Sequence, residues 1–119
     1  MRLLIIGATG FIGTPLVADA AGQNIEVVSL SRSGVCPEGA VQAFAWSFGQ
    51  PVPERACKGV NCVVYLAHDF DGEEGARRTV ESTLAIASQL QAAGVQRQLF
   101  FFFLLSRSTR NFDLWSDKV

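Results

Sequence analysis

Apolar residues in this chain fall into short unbroken runs, separated by stretches in which they recur every three or four positions. Residues 2–6 hold Leu3, Leu4, Ile5 and Ile6 in succession, and residues 25–30 hold Ile25, Val27, Val28 and Leu30. Runs at 40–46, 60–67 and 99–105 bring the number of predicted strands to five, the last with four consecutive phenylalanines. Runs without polar alternation mark strands covered on both faces, as in a parallel sheet with helices above and below. Between the runs, Ile12, Leu16, Val17 and Ala20 predict a helix over 11–21, with Pro15 near the end of its first turn and Gly22 as its stop. A short helix is expected at 54–58. A long one follows the acidic, glycine-containing loop 69–75, where Glu73 and Glu74 suit a positive helix end. In that helix Ala76, Val80, Thr83, Leu84, Ala87 and Leu90 form one stripe, Arg77 and Glu81 form an i,i+4 pair, and Gly94 ends it. Strands alternating with helices predict an α/β fold: three layers, α/β/α, around an open parallel sheet in the order 3-2-1-4-5.

The junction of the first strand and first helix carries the most specific signal, Gly7-Ala8-Thr9-Gly10-Phe11-Ile12-Gly13. Gly7 allows a sharp turn off the strand, Gly10 leaves room for phosphates to approach the backbone, and Gly13 lets the helix pack closely. The helix start offers N–H groups and the positive end of its dipole to an anion. Strand, glycine turn and helix in this order are how a Rossmann-type fold receives a dinucleotide pyrophosphate. The G-x-x-G-x-x-G spacing resembles the extended and atypical short-chain dehydrogenase/reductases, including the NAD-dependent epimerase/dehydratases. The resemblance continues through Ala67 and from Val80 to Arg97, about the first hundred residues, which implies an N-terminal, cofactor-binding part of such a protein.

Ser31-Arg32-Ser33 comes directly after the second strand, where a Rossmann fold that prefers NAD places an acidic residue for the ribose hydroxyl. A carboxylate would repel a 2′-phosphate, whereas a guanidinium flanked by hydroxyls binds one. NADP is therefore expected over NAD, with Arg32 the main ligand and Ser31 or Ser33 assisting. The family's alanine-rich turn after the fourth strand is matched by Ala67, while His68 stands where a small residue is usual; it either touches the nicotinamide side or caps the strand. Trp46 reads as a packing residue at the core edge. The candidate cofactor contacts are thus Gly7, Thr9, Gly10, Phe11, Ile12, Gly13, Ser31, Arg32, Ser33, Ala67 and His68.

Composition narrows the classes. At 119 residues, 49% hydrophobic and 18% charged, a single globular domain is expected. A net charge of −1 offers no electrostatic reason for nucleic acid or an acidic membrane, and no apolar run reaches the ~18 residues of a membrane span. Three cysteines and one histidine suggest neither a disulfide framework nor a zinc site, and with no signal peptide expected the chain reads as soluble and cytoplasmic.

Several family features are missing. The helix that resembles the family's Asn-Val-Glu-Gly-Thr begins instead with Thr79, and the serine pair that ends the fifth strand falls, without gaps, on Phe102 and Phe103. A longer strand would bring Ser106 or Ser108 to that position. The resemblance also implies a Tyr-x-x-x-Lys proton-transfer pair, but the chain's one tyrosine, Tyr65, lies in the fourth strand, and Lys118 has no tyrosine in reach. No catalytic residue is assigned. The chain reads as an NADP-binding unit whose catalytic half is lost or on another chain, as a dinucleotide-holding or redox-sensing module without chemistry, or as a relic with an empty cleft. The strand 99–105 is poorly covered by the charged tail 106–119, and strand and tail together are expected to join a second copy.

Overall fold

The computed structural model describes residues 1–101. Its elements are β1 (Arg2–Ile6), α1 (Gly13–Gly22), β2 (Glu26–Ser31), β3 (Gln42–Ala45), α2 (Glu54–Cys57), β4 (Cys62–Tyr65), α3 (Gly72–Ala92) and β5 (Arg97–Phe100). All strand pairs are parallel, in the order β3-β2-β1-β4-β5. The three-layer α/β fold and strand order expected from the apolar runs are those observed.

Strict alternation along β1 builds both faces. Leu4 and Ile6 join Val28, Leu30 and Val63 beneath α2 and α3, where Ile86 and Leu90 complete the cluster. Leu3 and Ile5 join Val27 and Val64 against Val17 and Ala20 of α1. With each buried aliphatic side chain contributing ~1.5–3 kcal/mol, the central strand draws stability from two cores at once.

Both long helices end in the same motif with different residues. In α3, the Val95 N–H donates to Leu90 O and the Gly94 N–H to Gln91 O, and Gly94 takes φ +92°, as a stop at that position predicts. In α1 the equivalent bonds run from Ile25 to Ala20 and from Asn24 to Ala21, and Asn24 takes the left-handed conformation at φ 63°. Gly22, expected to be the stop, is the last helical residue. The asparagine supersedes it because its short polar side chain also tolerates this conformation.

Two further expectations are corrected. The apolar stripe of α3 turns mostly outward: Val80 is 50% and Leu84 66% exposed, while the buried residues are Gly75, Thr79, Ser82, Ile86 and Leu90. The first half of α3 lies close against the loops at Asp69 and Gly49, and small residues make that approach possible. A Cβ on Gly75 would stand 2.6 Å from the Asp69 carbonyl oxygen. The fifth strand begins two residues earlier than expected and is an edge strand, not one buried on both faces; Leu99 is 53% exposed. Its inward contacts are polar and aromatic. Tyr65 stacks on Phe100 at 4.6 Å and donates its hydroxyl to Gln98 Oε1, whose amide nitrogen donates to the Ala87 carbonyl of α3. Residues 102–105, Ser106 and Ser108 lie outside the described residues.

Because Gly22 is helical and a Cβ there meets nothing within 4 Å, Gly22→Ala should stabilise the fold by ~0.5–1 kcal/mol, read as a rise in the urea midpoint. An unchanged or lower midpoint would contradict this assignment of the helix end.

Candidate functional site

The carboxyl ends of β1, β2 and β4 converge on a cleft of about 730 Å³. It sits where the chain order reverses between β1 and β4, the place where open α/β sheets receive ligands. Its floor is the turn after β1. Gly7 takes φ +95°, and a Cβ on it would lie 2.8 Å from Ala67 N, so the turn can lie against the end of β4 only if this residue is glycine. A Cβ on Gly13 would lie 2.4 Å from Gly7 O, which seats the start of α1 directly on the turn. Gly10 differs: the nearest atom to its Cβ would be Gly7 O at 3.6 Å, so the fold itself does not require glycine there. Above the turn, no carbonyl or side chain among the described residues accepts from the N–H groups of Phe11 and Ile12. These donors and the dipole of α1 face an anion approaching over Gly10.

Ser31 and Arg32 line the β2 side of the cleft. The Ser31 hydroxyl oxygen accepts the Gly34 N–H at 3.2 Å, bending the chain so that Arg32 projects from the strand end. Ser33 is exposed and outside the cleft lining; its hydroxyl accepts the Val35 N–H. On the β4 side are Ala67 and His68, with His68 Nδ1 3.0 Å from the Leu66 carbonyl, a contact that places a proton on that nitrogen.

The residues from 67 to 71 are held in place by α3. The Asp69 N–H donates to Thr79 Oγ1, whose hydroxyl donates to the Gly75 carbonyl. The Asp69 carboxylate accepts from Arg78 Nε at 2.8 Å and from the Asp71 N–H at 3.0 Å. The Arg78 guanidinium, then the Asp71 N–H, hold the Asp69 carboxyl below the usual carboxylate range, and the Arg32 charge across the cleft acts in the same sense. Thr79 therefore serves as a buried anchor of this loop.

Among the residues assigned from sequence, the turn residues with Ser31, Arg32, Ala67 and His68 come together, and Ser33 does not. Trp46, Phe48, Asp69 and Phe70 also line the cleft, and sequence reasoning did not assign them to it. The signal for Trp46 was its position at the carboxyl end of the apolar run 40–46. It is also the packing residue expected, buried and donating its indole N–H to the Gln50 carbonyl at 2.8 Å. Tyr65 is not in the cleft, and burial pushes its phenol pKa up, away from any proton exchange near neutrality. No group of three metal-ligating side chains occurs among the described residues, and none of their helices is long and apolar enough to cross a membrane.

The sheet order and the switch-point cleft define a Rossmann-like α/β domain. Solved structures that share this fold include the following two. MoeE5 in complex with UDP-glucuronic acid and NAD aligns with a TM-score of 0.73 at 22% identity, over 84% of this chain and 36% of that one. A Rossmann-fold NAD(P)-binding family protein from Shigella flexneri aligns with a TM-score of 0.60 at 18% identity, over 96% of this chain and 60% of that one. At these identities the similarity establishes the fold alone, and the chain spans about a third and three-fifths of the two proteins. No protein-family model and no curated protein matches it.

The three glycines make separable demands. Gly13→Ala should destabilise the domain by ~1–3 kcal/mol or more, because its new methyl group meets backbone that cannot move aside. Gly10→Ala should leave the thermal midpoint within about a degree of wild type, since its Cβ finds only ordinary contact. Equal losses in parallel thermal melts would show that the turn is not built as described.

Proposed function

We propose that this chain is a nicotinamide-dinucleotide-binding domain that prefers NADP(H) to NAD(H), corresponding to the cofactor-binding part of an extended or atypical short-chain dehydrogenase/reductase of the epimerase/dehydratase type. The observation that carries the reading is the convergence in one cleft of the Gly7–Gly13 turn, the open helix start and Arg32. The turn and helix start would take the pyrophosphate, Arg32 with Ser31 the 2′-phosphate, and Ala67 and His68 would lie along the nicotinamide side. Asp69, the one carboxylate lining the cleft among the described residues, is on the β4 side and engaged by Arg78, which leaves the β2 side to cations and hydroxyls. The NAD in the MoeE5 complex supports a nicotinamide dinucleotide as the ligand class. Free thiols at Cys36, Cys57 and Cys62 fit a reducing, cytoplasmic setting.

Titration calorimetry should show wild type binding NADP more tightly than NAD. Arg32→Ala should remove most of that advantage, because a charge-assisted phosphate contact is worth ~1.5–3 kcal/mol, on the order of tenfold to a hundredfold in affinity. Equal affinities in the wild type would overturn the preference.

The domain binds without reacting. A positioned general acid contributes ~10²–10⁴ in rate, and the one tyrosine that might have supplied it is buried in the sheet. Purified chain mixed with NADPH and a sugar-nucleotide or carbonyl substrate should give no loss of the reduced cofactor's near-ultraviolet absorbance above the buffer rate; substrate-dependent oxidation would refute this.

Association through β5 follows from the apolar side chains it exposes. Among the described residues β5 pairs with β4 alone, and its Leu99 and the adjoining Phe101 stand in solvent. Apolar side chains exposed on an edge strand recruit another chain. Light scattering at micromolar concentration should give the mass of a dimer, and a soluble monomer would contradict it.

A further inference from the structure

The cleft is lined by two aromatic rings that the dinucleotide reading leaves without a role, since it uses Phe11 only through its backbone N–H. Phe11, at the start of α1, is 96% exposed, and Phe70, on the loop after β4, is 67% exposed. Both line the cleft. Phe70 is not a loose side chain: its ring lies parallel to that of His68, with centroids 5.7 Å apart and planes 7° from each other. The loop displaying it is tied down at the adjacent residue from several directions, by Arg78 and Thr79 of α3 and by the Asp71 N–H. A large apolar ring held rigidly in water at the mouth of a cleft is costly unless something covers it.

The charges around the cleft say what kind of molecule that is. Among the described residues lining it, the ionisable side chains are Arg32, His68 and Asp69. Arg32 lies at the β2 end and is taken by the 2′-phosphate of the proposed dinucleotide, and the Asp69 carboxylate is bound by Arg78. No lysine or second arginine in this lining is left for another phosphate group. A sugar nucleotide, which carries a further diphosphate, finds beside Phe70 only Arg78, whose guanidinium is engaged by Asp69 and Asp71.

We propose that Phe70, stacked on His68, together with Phe11 forms a subsite for an uncharged planar ring, an aromatic or conjugated carbonyl compound, next to the nicotinamide end of the bound dinucleotide. This rests on the dinucleotide reading for its location, while the exposed rings and the His68–Phe70 stack it is built from stand without that reading. Stacking against a pre-ordered ring favours a planar partner over a saturated one by roughly 2- to 10-fold.

The test titrates the full chain, with and without saturating NADP, with acetophenone, cyclohexyl methyl ketone and UDP-glucose, following the backbone amides of residues 67–71 by NMR. Acetophenone should shift these amides and bind several-fold more tightly than its saturated analogue, with UDP-glucose weaker than both. Phe70→Ala should abolish the difference between the two ketones, Phe70→Trp should retain it, and the NADP dissociation constant should be unchanged in both variants. Equal binding of the two ketones, or a preference for UDP-glucose, overturns the proposal. A parallel loss of NADP affinity in Phe70→Ala also overturns it, because the ring would then belong to the dinucleotide site. If wild type fails to bind NADP, the cofactor reading falls, and the titration without NADP still decides the ring subsite.

Discussion

The structure depends on how closely three backbone segments meet at Gly7. The turn off β1 lies against the end of β4 on one side and under the first residue of α1 on the other. The distances leave no room for a methyl group at Gly7 or Gly13. Hydrogen bonds fix the same node: the Gly7 N–H donates to Leu30 O of β2 at 2.8 Å, and the Leu66 N–H donates to Ile6 O at 2.8 Å. Two neighbouring strands and a helix are thus locked to one turn. The cleft is the space left above it, open to a ligand because Gly10 carries no side chain. Contacts that make the fold compact therefore also shape the floor of its site.

How much of this could be read from sequence depends on which interactions are local. The apolar runs identified the strands because a two-sided sheet demands them, and strand order followed from alternation with helices. The glycine turn was legible because its chemistry is contained in seven consecutive residues. The failures share a cause as well. The outward stripe of α3 is more apolar than its inward face, and hydrophobicity alone chose the wrong side. What decides is how near the helix lies to the loops at Asp69 and Gly49, which only the packing of Gly75, Thr79 and Ser82 expresses. The phenylalanine run likewise suggested a buried strand, although burial depends on neighbours that the run does not encode. Trp46 and Phe70 joined the cleft through strand ends far apart in the chain.

Arg78 and Thr79 show how the loop beside the cleft is set by a helix distant in sequence. Adjacent on α3, they reach Asp69 by different routes, one to its carboxylate and one to its backbone. Arg78 also reaches Asp71 at 3.2 Å, and the N–H of that residue returns to Asp69. Exposed ion pairs are individually weak. Their effect here is geometric, because they act together with a buried hydroxyl on the same two residues. The loop's position is a property of α3, and α3 is held by Ile86 and Leu90 in the core.

The place of the chain's one tyrosine can be traced to β4. This strand carries Tyr65, whose hydroxyl group could in principle exchange a proton, and two residues later the chain reaches the cleft at Ala67. Because side chains alternate along a strand, Tyr65 shares the α3 face with Val63, and its ring is sealed between the core and Phe100. Its hydroxyl serves β5 through Gln98, and burial pushes it further from ionisation. Moving it into the cleft would require a shift along the strand that would also dislodge Leu66 and Ala67 from beside Gly7. The contact that shapes the cleft floor therefore keeps the chain's one phenol out of it. Among the described residues, what faces a ligand is a set of N–H groups, the Arg32 guanidinium, the His68 imidazole, an Asp69 carboxylate held by Arg78, and an aromatic rim.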